Sequence, residues 1–134
     1  MPQWSMLSLV AILGAAVAAF AFGAVWYSAL GKPWMKAARI DPADANMSPA
    51  LFATTFVILL VISTGLYVIL AASATDGSIG TALIVAVSTW FVFTAGPMAV
   101  NHRYQGFRWD LTVIDALHWL GVFSIMSVVI SVIA

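Results

Sequence analysis

Residues 6–30 read MLSLVAILGAAVAAFAFGAVWYSAL, twenty-five positions without a charge or a proline. A hydrocarbon layer of about 30 Å is crossed by about 20 apolar residues rising 1.5 Å each. This stretch alone is therefore long enough to span a bilayer. Three further runs have the same character, at about residues 50–72, 79–100 and 111–133, and the first is best bounded as about 5–30. The whole chain repeats the message of its first run. Of 134 residues 63% are hydrophobic and 7% charged, with a mean hydropathy of +1.06, whereas a soluble domain carries about 25% charged residues. That composition excludes a soluble globular protein, a disordered tail and a nucleic-acid binder needing a basic face. The expected fold is all-α: one domain over residues 1–134, an integral membrane bundle of four transmembrane helices.

The first run is too long for the h-region of a signal peptide, about 7–15 residues, and no Lys or Arg precedes Lys32. It reads as a retained span. Between spans 1 and 2, Gly31-Lys32-Pro33 is expected to end the helix, and residues 33–40 to form a short interfacial helix. Lys32, Lys36 and Arg39 share one face of it, with Trp34 and Met35 turned to the membrane. Asp41-Pro42 breaks that segment, and Ser48-Pro49 supplies a hydroxyl N-cap with proline at the first helical position. Residues 73–77 read as a turn with Asp76-Gly77 at its tip. Gly96-Pro97 is expected to kink or stop span 3. Residues 101–109 read as a loop, and Asp110 as the cap of span 4.

The five Lys and Arg and five Asp and Glu sum to zero, but their placement is informative. Lys32, Lys36 and Arg39 lie in one connection, and Arg103 and Arg108 in another. Alternating topology puts both connections on one side, and the positive-inside rule makes that side cytoplasmic. Both termini are then expected outside. Trp4 marks the outer interface, while Trp26, Tyr27, Trp34 and Trp109 mark the inner one.

Asp115 and His118 are the ionisable residues clearly inside a span. Spacing of i, i+3 places them on one side of span 4. An intramembrane carboxylate costs about 2.5–3.5 kcal/mol on insertion scales and is a functional candidate by default. Arg103, Arg108 or a protonated His118 could also neutralise it, so a structural ion-pair cluster and a proton- or ligand-handling site both stand. In span 1, Ala11, Ala15, Ala19 and Gly23 follow at i+4 and allow close helix approach, within the bundle or in a homo-oligomer. Gly121, Ser124, Ser127 and Ser131 form a second such stripe in span 4.

With no cysteine and two histidines, no metal site is expected, and no cofactor. No nucleophile elbow or phosphate-cradling glycine loop occurs. A quinone or pigment near Trp90 and Trp119 is conceivable, though aromatic residues at that spacing usually pack.

The segment from Gly23 through Trp26, Tyr27, Gly31, Lys32 and Trp34 to Met35 resembles the first-helix signature of a bacterial membrane family named domain of unknown function 1761. Tyr104, and Leu111 through Asp115 to His118-Trp119, are similar to that family's last span. The resemblance implies a small four-helix bundle in the bacterial cytoplasmic membrane and transfers no catalytic residue. The expected function is a non-enzymatic membrane protein, an accessory or packing subunit that self-associates or joins a larger complex in the lipid bilayer. The alternative is a small transporter or channel using Asp115 and His118. Four-helix drug exporters share only its length and span count.

Overall fold

The computed structural model describes residues 2–73 and 76–134. Among them there is no strand. The helices are α1 (Met6–Ala38), α2 (Pro49–Ala72), α3 (Ile79–Trp90), α4 (Gly96–Tyr104) and α5 (Trp109–Ile133), with a 3₁₀ turn at Pro42–Asp44 and a π-helical turn at Phe91–Ala95. Taken with the π turn, α3 and α4 make one span, so four helices are long and apolar enough to cross a membrane.

Their starts follow from local chemistry. Ser5 and Ser8 cap α1 reciprocally, each side chain accepting the other's backbone N–H. Ser48 accepts from Leu51 N–H with Pro49 behind it, as the Ser-Pro pair predicts. Ser78 does the same for α3 by accepting from Thr81 N–H. The turn expected at 73–77 lies partly outside the described residues, because 74 and 75 are not among them.

Three expectations need correction. The separate interfacial helix expected at residues 33–40 does not form: α1 runs unbroken through Gly31 and Pro33 to Ala38. Proline removes one N–H and bends the chain, but on a surface-facing turn that loss is local. The helix ends where Arg39 turns left-handed at φ 59° and Ile40 N–H bonds back to the Met35 carbonyl, a Schellman-type closure. Residues 101–109 are mostly not loop, since α4 reaches Tyr104. Asp110 does not cap span 4. The N-cap is Arg108, which provides no side-chain acceptor, while the Asp110 carboxylate accepts from Leu111 N–H inside the first turn.

At Gly96-Pro97 the span neither stops nor breaks. Proline's ring would strike the carbonyl four residues back, and the widened turn at 91–95 absorbs that conflict. Gly96 N–H reaches five residues back to the Phe91 carbonyl.

Helix α5 touches every other helix, and its most extensive partner is α1. Ala11, Ala15, Ala16 and Ala19 of α1 are at most 1% exposed. With Val122, Phe123, Met126 and Ile130 of α5, Leu59, Leu66 and Leu70 of α2, and Ala82 and Ala86 of α3, they enclose the core. In lipid, where tails are as apolar as leucine, such close approach is held by dispersion rather than the hydrophobic effect. Side-chain to backbone bonds also cross between helices: Ser63 Oγ donates to the Ile12 carbonyl at 2.9 Å, and Trp90 Nε1 to the Ala116 carbonyl at 2.7 Å. Each contributes about 0.6 kcal/mol by membrane double-mutant measurements.

The two basic connections meet at one end of the bundle. Arg39 donates to the Gly106 carbonyl at 2.6 Å and lies 5.1 Å from the Phe107 ring centre. At the other end Tyr67 Oη donates to the Gln3 carbonyl, and its ring packs on Trp4.

Candidate functional site

Asp115 sits six residues beyond the start of α5, about 9 Å along the axis. Tyr27 of α1 donates its hydroxyl proton to Asp115 Oδ1 at 2.8 Å. The contact joins two helices at one depth below the basic end: Tyr27 lies five residues before Lys32, and Asp115 five after Asp110. Trp34 packs edge-on to Tyr27 with ring centres 5.5 Å apart. Its buried indole N–H has no hydrogen-bond partner.

The arginines proposed as partners for Asp115 are engaged elsewhere. Arg103 donates to the Arg108 carbonyl and to Thr112 Oγ1, and its guanidinium lies 3.9 Å above the Trp109 ring. Arg108 faces Asp110 at 3.9 Å, an exposed pair worth little. Among the described residues Asp115 has no cationic partner within 4.0 Å. His102 Nδ1 shares a hydrogen bond with Thr112 Oγ1 at 2.9 Å.

His118 is buried, but it does not pair with Asp115. Its ring lies parallel to Phe22 at 5.9 Å, against Tyr27 at 4.8 Å and against Trp119 at 5.2 Å. Nδ1 is buried without a partner. Gly23 makes room for this ring, since a Cβ there would stand 3.0 Å from His118 Nε2. The i, i+3 spacing put the two groups on one side of α5, but aromatic side chains of α1 fill the space around the imidazole.

Of the other residues singled out in the sequence, Trp26 packs on Phe22 with its indole N–H buried and unpartnered. Gly31 has open space around it, and Lys32 is exposed. Ala11, Ala15 and Ala19 are buried inside the bundle, so this face is covered within the chain. In the second stripe, Ser127 is fully buried with its hydroxyl unpartnered.

The site is thus one carboxylate with a single hydrogen bond, from Tyr27, whose ring in turn packs against Trp34 and His118. Trp26 and Trp34, also on α1, each hold a buried N–H donor without a partner. Sequence reasoning missed Tyr27 as the partner of Asp115, although depth counted from the flanking charges would have matched them. No group of three or more metal-ligating side chains occurs among the described residues.

Four membrane-length helices around a polar site of this kind define a small polytopic membrane protein. Its sequence matches, over residues 10–131, the family described as protein of unknown function (DUF1761). The match covers most of the chain, which therefore belongs to that family. No curated protein and no solved structure matches it.

Proposed function

We propose that this protein is a small membrane transporter in which Asp115 exchanges a proton for a cationic solute. One observation carries the reading: a carboxylate inside a span is held by a tyrosine hydroxyl instead of a cation. An ion pair would have neutralised it for structure alone, whereas a lone acid at depth is kept for a pathway or a ligand. The aromatic cluster that begins at its partner Tyr27 suits a cation, because aromatic faces attract positive charge as the carboxylate does.

The test is proton release from the purified chain in weakly buffered detergent when tetraphenylphosphonium is added. Wild type is expected to release protons, and Asp115→Asn is expected to release none while keeping its helical content. Equal release from both proteins, or none from wild type, overturns the reading.

A second reading is an accessory subunit that associates with itself or with a larger complex. It is favoured by span 3, of which only 11% is buried against 28–33% in the other spans. Native mass spectrometry from membranes that returned single copies alone would count against it. In either reading we place the chain in the cytoplasmic membrane of a bacterium, with its basic end inside and both termini outside. Both readings also take the protein to be non-enzymatic.

A further inference from the structure

Away from Asp115, at the basic end, Lys36, Ala37 and Arg39 of the α1 terminus face Arg108 and Asp110 across a cleft of about 250 Å³. Three cations and one carboxylate line it. The carboxylate lies 3.9 Å from Arg108 in an exposed, weak pair, and among the described residues Lys36 and Arg39 have no acidic partner within 4.0 Å. Like charges held together in a cleft repel unless an anion lies between them.

The backbone keeps them there. Arg39 is the one non-glycine residue with positive φ among those described, a conformation that glycine usually supplies at a helix end. Its guanidinium is tied to the Gly106 carbonyl of the neighbouring basic connection. The positive end of α5 opens beside it, and its N-cap Arg108 contributes no side-chain acceptor to the first amides.

Exposed apolar residues lead from the cleft along both helices. Leu117 lies seven residues from Asp110, hence on the same side of α5, with Val113 adjacent, and both are exposed. On α1, Val25 and Ala29 lie below Lys36 on one exposed face. A phosphate in the cleft thus has apolar surface below it on two helices, where acyl chains would run.

We propose that this cleft binds the phosphate of an anionic phospholipid, with Lys36, Arg39 and Arg108 as its ligands. The apolar track selects a lipid over a free anion, which would use only the cations.

The experiment follows tryptophan fluorescence of the full chain in detergent. It is titrated with phosphatidylglycerol in mixed micelles, with phosphatidylcholine, and with inorganic phosphate alone. Phosphatidylglycerol is expected to saturate the signal at lower concentration than phosphatidylcholine, and inorganic phosphate to give no comparable response. Lys36→Gln should weaken phosphatidylglycerol binding about fivefold, in line with the electrostatic value of one surface cation. Lys36→Arg should preserve binding, and Asp110→Asn should tighten it by removing the competing carboxylate. A merely structural role for these side chains would not produce that opposite pair of effects. Equal binding of the two lipids, unchanged affinity in Lys36→Gln, or a full response to inorganic phosphate overturns the proposal.

Discussion

Gly121 decides how closely α1 and α5 approach at the level of the site. A Cβ placed on it would stand 2.4 Å from two atoms of the Phe22 ring, well inside contact distance, so the ring would have to leave its place. Phe22 is also the face on which His118 lies parallel, so its displacement removes one wall of the aromatic enclosure. Gly121→Ala is therefore expected to destabilise the protein by about 1–3 kcal/mol, the usual result of overpacking, read as a lower thermal midpoint in detergent. Gly14→Ala serves as the comparison, because its Cβ would meet only Val129 and Ile133 side chains at 3.8 Å, an ordinary contact. Equal midpoints for the two variants would contradict the argument. At this scale the sequence was half informative. Asp115 and His118 stood out because ionisable groups are rare in spans. Their partners did not, since a tyrosine and a tryptophan near a helix end read first as interfacial anchors. The same holds for Gly121, whose neighbour Phe22 lies 99 positions away and cannot be found from spacing along one helix.

Among the elements, starts were more legible than ends. The Ser48-Pro49 pair announced α2, because a hydroxyl followed by proline and an apolar run has one good use. The caps at Ser5 and Ser78, by contrast, emerge only in the structure. Ends turned on tertiary balance: Gly31 and Pro33 did not stop α1, and Gly96-Pro97 produced a π turn instead of a break. Asp76, before α3, shows what a start contributes. Its carboxylate is held down at about 2 by the Ser78 side chain, then the Ser78 backbone N–H and the Thr81 hydroxyl. The folded value lies below the unfolded 3.8, so the ionised form is the one that folding favours. That contribution is complete above 3.8 and is lost as pH falls through about 2. Comparing wild type with Asp76→Asn isolates it from the other acids. The thermal midpoint of wild type is expected to exceed that of the variant at neutral pH, with the difference shrinking as pH is lowered from 3.8 toward 2. A pH-independent difference would mean that the carboxylate's charge is irrelevant to the start of α3.

For the whole molecule, the strongest statement available from sequence concerned the clustering of cations, and the fold places both basic connections at one end, joined through Arg39 and Gly106. That end also holds Asp41, Asp44 and Asp110, so a rule based on net charge would give it a weaker bias than its five Lys and Arg do. Orientation in membranes follows Lys and Arg near span ends, with acids contributing little. The proposed topology therefore puts this end in the cytoplasm despite its three carboxylates. The absence of cysteine makes the test direct. Ala72→Cys is exposed at the far end of α2, and Met47→Cys is exposed at the basic end. A membrane-impermeant maleimide added to intact cells is expected to label Ala72→Cys at once and Met47→Cys only after permeabilisation. The reverse pattern would invert the bundle and point the lipid-binding cleft at the leaflet poorer in anionic lipid. Labelling of both sites in intact cells would mean that the chain inserts in two orientations, the outcome expected if those carboxylates did cancel the bias.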